Sequence, residues 1–383
     1  MHFPMWNRKK RKIRNNTAEK GADMSRTDIY GTIGPSCGNQ EILTEMFRLG
    51  MDGIRLNLSH GELEASGEWT EMIKKAAYAA GKKPGLLIDL QGPELRIGTF
   101  KEPFTLTQGA WAELGAGEGD IPLPEILLSS LPDTAKKESA FPGGTEGESA
   151  DFWKQGQEIL LDDGKIQLEL EEVTKTGVRC KVLRGGVLQP RKSIALPGAA
   201  LHLSTLTESD RRNLAAAVSH GVTGVMLPFV RNAEDLKELK QELIKANAPD
   251  IEIFAKIENM EGVRNLENLL PWADVIVIAR GDLGNSMPLW ELPPVQARIA
   301  EACRRAGKPF LVVTQMLASM EEREIPTRAE VSDIFRAVAE GAAGVMVTGE
   351  TAVGPYPLEV IRYLSNTVRE AKRYCSGGEP VPY

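Results

Sequence analysis

The stretch IEIFAKIENMEGVRNLENLLPWADVIVIARGDLG, residues 251–284, contains two short apolar runs that end in charged side chains. The runs IEIFAKI (251–257) and VIVIAR (275–280) are brief and rich in Val and Ile, which is typical of strands buried in a parallel sheet. Similar runs, several of them entered through Gly, are IYGTI (29–33), GIRLNL (53–58), GLLIDL (85–90), GVMLPF (224–229), FLVVTQ (310–315) and GVMVTG (344–349). The stretch is therefore one copy of a unit that recurs along the chain.

Amphipathic helical patterns separate these runs, and several of them begin at a capping residue or Pro and end at Gly. Examples are EILTEMFRLG (41–50), TESDRRNLAAAVSHG (207–221) and PPVQARIAEACRRAG (293–307). Eight strands, each followed by a helical segment, predict an α/β fold of the (β/α)₈ TIM barrel type. A doubly wound open sheet is the alternative, because the number of strands does not by itself establish that the sheet closes.

The alternation is interrupted after the third strand, where residues 98–193 have a different pattern. Alternating segments such as FTLTQGAWAEL and EILLDDGKIQLELEEV, with Gly-containing turns, predict a small, mostly antiparallel β domain. We divide the chain into a basic leader expected to be disordered (1–26), a discontinuous barrel (27–97 and 194–383) and this insertion. Because the insertion follows the C-terminal end of a strand, we expect it to emerge at the barrel mouth as a lid. A packing element remote from the chemistry is the alternative.

The composition of the 383 residues argues against several classes of protein. The net charge of −7 does not suit broad nucleic-acid binding, and no uncharged apolar run reaches the roughly eighteen residues of a membrane-spanning helix. The N-terminus lacks the apolar stretch of a secretory signal, and the four cysteines lie far apart without a CxxC pair. We therefore expect a reduced, cytoplasmic protein with neither a disulfide framework nor a zinc site.

Polar side chains follow most of the predicted strands. In a barrel the C-terminal ends of the strands meet at one mouth, so these side chains are expected to converge there. They are Thr32, Arg55, Asn57, Ser59, His60, Asp89, Glu94, Arg96, Lys256, Glu258, Arg280, Asp282, Thr314, Gln315, Thr348 and Glu350. One polar residue at a strand end is ordinary, whereas the whole set at a single mouth indicates an active site.

The segment AKIEN suggests a metal site. Residues two apart in a strand face the same side, so Lys256 and Glu258 project together while Ile257 faces the opposite layer. The two charges form either a structural ion pair or an ammonium beside a metal ligand. Asp282 favours the metal, because it follows the neighbouring strand and lies beside two glycines whose backbone admits a ligand. Two carboxylates without His or Cys suit Mg²⁺ or Mn²⁺, which complete their shells with water and substrate oxygens.

Three cations at this mouth indicate the charge of the substrate. Arg55, Arg96 and Lys256 would repel one another unless an anion joins them. Together with a metal and glycine-flanked backbone donors, they suggest a phosphorylated and carboxylated substrate. The sequence contains no GxxxxGK[ST], GxGxxG or HExxH motif, which argues against a P-loop, Rossmann or zinc-protease site. The residues alone predict a metal-dependent barrel enzyme that acts on a phosphorylated anion.

The sequence resembles the pyruvate kinase family over residues 27 to about 372, in the order and with the spacing of its motifs. The segments that carry the resemblance are GTIGPSC, GIRLNLSHG, LLIDLQGPELRIG, ILLDDGKIQLEL, the LPG at 196–198, FAKIENMEGV, VIARGDLG, AGKPFLVVTQMLASM, PTRAEVSD and VMVTGETAVGPYPLE. The resemblance implies a (β/α)₈ barrel with a β-barrel lid after the third strand. It also implies the glycolytic transfer of phosphate from phosphoenolpyruvate to ADP, which yields pyruvate and ATP.

The resemblance further implies a role for each matching residue. Lys256, Thr314 and Arg55 would be catalytic, with Lys256 facing the phosphoryl group in flight. Substrate ligands would be Arg55, Lys256, Gly281, Asp282 and Thr314, and nucleotide ligands would be Asn57, His60, Arg96 and Lys192. Metal ligands would be Glu258 and Asp282 for Mg²⁺ or Mn²⁺, and Asn57, Ser59, Asp89 and the Leu90 carbonyl for K⁺. Family members that need K⁺ tend to have glutamate at the position matching Glu94, so the resemblance implies that this chain depends on K⁺.

The sequence also departs from the family pattern. Where the family has DTKGPEIR this chain has DLQGPELR, so Leu90 and Gln91 replace Thr and Lys. NLSHG replaces NFSHG, and NSMP follows GDLG. The chain ends at Tyr383, before the family's C-terminal domain, so we expect no activation by sugar-phosphate effectors and leave a homo-oligomer open. Two other functions remain open: a metal-dependent aldolase or lyase acting on an oxo acid, and a non-catalytic regulatory protein that binds phosphoenolpyruvate.

Overall fold

The computed structural model describes residues 26–59, 61–117, 120–131, 153–162, 164–174, 176–197, 199 and 203–378. His60 and residues 1–25 of the predicted leader lie outside the described residues. The strands are β1 (Asp28–Thr32), β2 (Gly53–Asn57), β3 (Gly85–Asp89), β4 (Phe104–Leu106), β5 (Trp111–Gly115), β6 (Ile121–Pro122), β7 (Glu158–Leu161), β8 (Ile166–Val173), β9 (Gly177–Arg184), β10 (Gly186–Leu188), β11 (Ile194–Ala195), β12 (Gly224–Leu227), β13 (Glu252–Ile257), β14 (Val275–Ala279), β15 (Phe310–Val313) and β16 (Gly344–Met346).

The strands predicted from apolar runs close into a parallel barrel. Its order is β1, β2, β3, β12, β13, β14, β15 and β16, and β16 pairs again with β1. The first and last strands pair in parallel, with Ile29 opposite Val345, and this pairing closes the sheet. The predicted (β/α)₈ barrel is therefore confirmed, and the alternative of an open sheet is wrong.

Helices separate the barrel strands. They are α1 (Gln40–Arg48), α2 (Gly67–Ala79), α3 (Glu125–Ser129), α4 (Glu208–His220), α5 (Ala233–Lys245), α6 (Met260–Arg264), α7 (Leu266–Leu269), α8 (Arg280–Asn285), α9 (Leu292–Arg305), α10 (Arg328–Ala339), α11 (Gly349–Ala352) and α12 (Pro357–Cys375), with α3 in the insertion. Capping boxes at Thr207, Asn232 and Thr327 satisfy the first free N–H groups of α4, α5 and α10, which explains why these helices begin there. Within the described residues, no helix is long and apolar enough to cross a membrane.

Alternation along the strands divides the barrel core into two layers. Phe254 and Val277 face the inside of the barrel with Tyr30, whereas Ile253 and Ile276 pack against the helices. The ring of Tyr30 fills the inside near the strand starts. A Cβ on Gly53 would lie 2.6 Å from its Cε1 atom, so only glycine fits there. Toward the strand ends the inward positions become polar, which places charged side chains at the mouth.

Some predicted runs extend beyond the strands. The run FLVVTQ was expected to continue to residue 315, but β15 ends at Val313. Thr314 and Gln315 have φ angles of 78° and 55°, which are in the left-handed region and cannot continue a strand. The chain therefore turns sharply at the mouth, at a residue predicted to belong to the site.

The insertion forms two small sheets with a core of their own. β4 pairs with β10, and the larger sheet has the order β11, β7, β8, β9, β5 and β6, in which only β5 and β6 pair in parallel. Buried residues such as Leu114, Leu168 and Val182 form its hydrophobic cluster. Between β7 and β8, Gly164 lies so close to α8 that a Cβ would be 2.8 Å from Asn285 Oδ1. The insertion thus contacts the mouth of the barrel.

Candidate active site

Four charged side chains from three barrel strands form a buried cluster at the mouth. Arg55 belongs to β2, Asp89 ends β3, Lys256 belongs to β13 and Glu258 follows β13. Arg55 Nε donates to Asp89 Oδ2 at 2.8 Å, and Lys256 Nζ lies 3.1 Å from the same carboxylate oxygen. Lys256 Nζ also lies 2.9 Å from Glu258 Oε1. The structure therefore joins two cations and two carboxylates, which alternate in charge, into one network.

Asp89 and Lys256 stay ionised although both groups are removed from water. Burial alone would raise the pKa of the Asp89 carboxyl, but the Lys256 and Arg55 charges outweigh it and hold that pKa below its usual value. Burial alone would lower the pKa of the Lys256 ammonium, yet the Asp89 and Glu258 carboxylates outweigh it and raise that pKa. Lys256 consequently carries its positive charge at neutral pH.

The lowered pKa of Asp89 predicts a pH-dependent contribution to stability. Because the folded-state pKa lies below the ordinary value of 3.8, the contribution is complete above that value and is lost as the pH falls through the lower folded pKa. We expect Asp89→Asn to be less stable than the wild-type protein at about pH 7, with a difference that shrinks below about pH 4. Urea unfolding of both proteins across this pH range measures it, and a difference that stays constant would contradict the assignment.

Glu258 is held at both carboxylate oxygens and is almost fully buried. Its Oε2 atom accepts from the backbone N–H of Phe229 at 2.8 Å, while Oε1 faces Lys256. Asp282 lies half-buried in the first turn of α8, which directly follows β14, the neighbour of β13. Within the described residues, no group of three or more His, Cys, Asp or Glu side chains is arranged to hold a metal. Two carboxylates fit a hard divalent cation that takes its remaining ligands from water and substrate.

The residues predicted to bind K⁺ lie at or just beyond the ends of the adjoining strands β2 and β3. Asn57 stands in register with Asp89, and Asn57 Oδ1 accepts from the Ser59 hydroxyl at 2.9 Å and the Ser59 N–H at 3.2 Å. Leu90 is buried, and its N–H donates to the Met226 carbonyl. This hydrogen bond fixes the backbone at the end of β3. This donor set consists of oxygens, as a potassium ion requires.

Thr314 and Gly281 come together where β14 and β15 end. A Cβ on Gly281 would lie 3.0 Å from Thr314 Cγ2, so the glycine allows the threonine side chain to approach the first turn of α8. Ala279 and Val313 are in register, which carries the two chain segments to the same height of the barrel. Thr314 and Gly281, both predicted to bind the substrate, therefore lie side by side.

The two cations predicted to bind nucleotide lie together at the junction of barrel and insertion. Ile97 N donates to the Lys192 carbonyl at 2.9 Å, and Arg96 forms a bridge with Ser193. Arg96 pairs with Glu94 at 2.7 Å, and Lys192 Nζ lies 2.8 Å from Asp162 Oδ1. Neither pair shares a residue with the Lys256 network. Within the described residues, the predicted site residues therefore form several separate groups of contacts.

Asp210 holds the loop that follows β3 at the barrel mouth, and the sequence analysis did not identify it. It is fully buried, and its carboxylate accepts from the N–H groups of Gln91 at 2.8 Å and Gly92 at 3.1 Å. The segment 207–221 was predicted to be a helix, but Asp210 was not identified as an anchor for a distant loop. Because this anchor uses the backbone of residue 91, replacement of the family's Lys by Gln keeps it.

Comparison with known proteins identifies similar sequences over most of the chain. The family model described as pyruvate kinase, barrel domain, matches residues 24–118 and 147–361. The chain is 37% identical over 345 residues to a pyruvate kinase of Bacillus licheniformis, covering 90% of this chain and 56% of that protein. Identity to pyruvate kinases of Aeropyrum pernix and Thermotoga maritima is 36%, over 92% and 94% of this chain and 72% and 74% of those proteins. The chain thus spans little more than half the length of the Bacillus protein.

Proposed function

This chain belongs to the pyruvate kinase family, and we propose that it transfers the phosphoryl group of phosphoenolpyruvate to ADP, with pyruvate and ATP as products. The observation that carries the proposal is the buried network of Lys256 with Asp89, Glu258 and Arg55 at the barrel mouth. The network supplies cationic charge beside a carboxylate that we assign to the metal, and phosphoryl transfer needs both kinds of group.

We assign the phosphate of phosphoenolpyruvate to Arg55 and Lys256, and its carboxylate to Thr314 and the backbone N–H groups of Gly281 and Asp282. The closeness of Thr314 to Gly281 supports the carboxylate site. Two separate anchors for a small substrate hold its phosphorus in one orientation, and such positioning is a large part of the catalysis of phosphoryl transfer.

Glu258 and Asp282 would hold Mg²⁺, or Mn²⁺ in its place, while Asn57, Ser59, Asp89 and the Leu90 carbonyl would hold K⁺. When bound, these ions would supply positive charge that neutralises the phosphoryl and carboxylate oxygens. The fixed position of Glu258 between Phe229 N–H and Lys256 supports its part in this assignment. It leaves a carboxylate already oriented before any ligand arrives.

Arg96 and Lys192 would bind the phosphates of ADP, with Asn57 and His60 completing the nucleotide side. Both cations already face acidic partners, Glu94 and Asp162, at the edge of the insertion. The nucleotide phosphates would replace these carboxylates as the insertion closes over the mouth, which is the lid function we expect of it.

The residues of this chain would act mainly through charge. Lys256 and Arg55 would offset the negative charge on the transferred phosphoryl group, and Lys256 would then stay beside the enolate oxygen. Protonation of the enolate carbon gives pyruvate, for which the Thr314 hydroxyl with an ordered water is a candidate donor. The proposal places the protein in the cytoplasm, with the substrates of glycolysis, and allows a homo-oligomer.

We expect the purified protein to form pyruvate from phosphoenolpyruvate and ADP only when Mg²⁺ or Mn²⁺ is present, and faster when K⁺ is added. A coupled assay that oxidises NADH as pyruvate is reduced measures this directly, with Na⁺ replacing K⁺ as the control. Cleavage of an oxo acid without any pyruvate kinase activity would instead favour a lyase. Binding of phosphoenolpyruvate without turnover would favour a regulatory protein.

A further inference from the structure

We propose that Arg280, held by Asp333, is a positioning residue that fixes the backbone of Thr314 and Gln315 in the conformation that receives the substrate. This inference rests on the proposed function, because it assigns the substrate carboxylate to Thr314. It adds a contact between an outer helix of the barrel and the mouth that the assigned site residues do not include.

The Arg280 guanidinium joins two segments, the turn at Thr314 and Gln315 on one side and Asp333 of α10 on the other. Its Nη2 and Nε atoms donate to the Thr314 carbonyl at 2.8 and 3.2 Å, and Nη2 also donates to the Gln315 carbonyl at 3.3 Å. Its Nη1 atom lies 2.5 Å from the Asp333 carboxylate on α10. The Arg280 side chain is only 10% exposed, so these contacts are formed largely away from water.

The two residues that Arg280 holds have a costly backbone conformation. Thr314 and Gln315 have positive φ angles, and a β-branched residue in the left-handed region is a true outlier. Such a conformation persists only where the surroundings enforce it. Donation to both carbonyls by one planar, charged group provides that enforcement, and lysine cannot reproduce it because its ammonium is a single point of charge.

Thr314 would respond directly to a loss of this contact. Its side chain packs against Gly281 in the first turn of α8, the turn that Arg280 itself begins. If the carbonyls of Thr314 and Gln315 were released, the segment would relax toward negative φ and carry the threonine hydroxyl away from α8. The substrate carboxylate would then lose one of its ligands, while the nucleotide side would stay unchanged.

Asp333 is the outer end of this arrangement. It lies on α10 and lines a cavity of about 180 Å³ together with Arg280, Gln315 and Arg336. Arg336 pairs with Glu340 at 2.8 Å, whereas Asp333 pairs with Arg280. Each cation of the cavity thus has its own carboxylate, and the charge of Asp333 serves to orient Arg280.

The experiment compares Arg280→Lys with the wild-type protein in the pyruvate assay and in calorimetric titration of phosphoenolpyruvate with Mg²⁺. We expect the KM and the Kd for phosphoenolpyruvate to rise by about tenfold or more, while the KM for ADP changes by less than about twofold. Arg211→Lys is the matched control, because the Arg211 guanidinium also joins two segments through carboxylates but pairs with Glu238 and Glu242 of α5 and not with the segment at Thr314. It should leave both constants unchanged.

A second variant tests whether Arg280 acts through the backbone. Gln315→Gly removes the penalty for positive φ at that position, so the double variant Arg280→Lys/Gln315→Gly should recover much of the affinity for phosphoenolpyruvate. Recovery supports the positioning role. Absence of recovery would show that Arg280 does not act through the backbone of this turn. A lower melting temperature of Arg280→Lys with unchanged KM and Kd values would show that Arg280 only stabilises the fold.

Failure of the proposed function gives a different result. If the wild-type protein binds phosphoenolpyruvate but forms no pyruvate, the assigned reaction is wrong, and the calorimetric comparison of the variants alone decides the role of Arg280. If the wild-type protein does not bind phosphoenolpyruvate at all, both proposals are overturned.

Discussion

Lys256→Met is expected to lower the rate of pyruvate formation by about a thousandfold or more, because it removes the only ammonium of the buried network. The loss should fall on kcat more than on the KM for phosphoenolpyruvate, since the charge is needed most while the phosphoryl group is in flight. Steady-state kinetics of the purified variant in the coupled assay give both constants. A rise in KM with an unchanged kcat would contradict the role assigned to Lys256.

The same substitution is expected to weaken the fold. Asp89 and Glu258 are both buried, and Lys256 is a partner of each, so its removal leaves two carboxylates without that compensation. Breaking a buried ion pair by removing one partner costs about 3–5 kcal/mol, which urea unfolding would detect. Lys256→Arg is the matched control, because it keeps the charge. It should retain most of the stability while still losing activity, since a planar guanidinium spreads its charge and does not place it at the point occupied by the ammonium nitrogen.

Glu258→Gln is expected to raise the Mg²⁺ concentration required for half-maximal activity by about tenfold or more and to lower kcat/KM by about a hundredfold. The amide can still accept from Phe229 N–H, but it carries no negative charge for the cation or for Lys256. Titration of activity with Mg²⁺ and with Mn²⁺ measures the change. Calorimetric titration with Mn²⁺ alone provides a readout that does not depend on turnover.

Glu350→Gln provides a matched control for this variant. Glu350 is also buried, and its carboxylate accepts from the N–H groups of Leu317 and Thr348. In the part of the chain that the structure describes, no Lys or Arg forms an ion pair with it. Replacing Glu350 with Gln should also lower the free energy of unfolding, because it weakens the hydrogen bonds that a buried carboxylate accepts. It should leave the Mg²⁺ requirement unchanged. An equal shift of the Mg²⁺ requirement in both variants would show that the effect comes from a loosened barrel and not from a lost metal ligand.

Much of the barrel could be predicted because its information is local. Each strand is a short apolar run, each helix has its own amphipathic pattern and caps, and strict alternation of the two classes leaves few topologies. The pairing of Lys256 with Glu258 followed from the same local rule, since residues two apart share a face of a strand. Because the two side chains share that face, Lys256 Nζ lies 2.9 Å from Glu258 Oε1.

The sequence by itself thus determined the class of fold, the face on which each strand residue lies and, through its motifs, the family. Only the tertiary structure decided that Asp89 balances both Arg55 and Lys256, that Asp210 anchors the loop after β3, and that Arg280 holds the strained turn at Thr314. These contacts join residues that are far apart in the chain, and their geometry depends on how the closed barrel brings its strand ends together. No periodicity encodes such distances, because the free energy that sets them comes from packing and charge between segments.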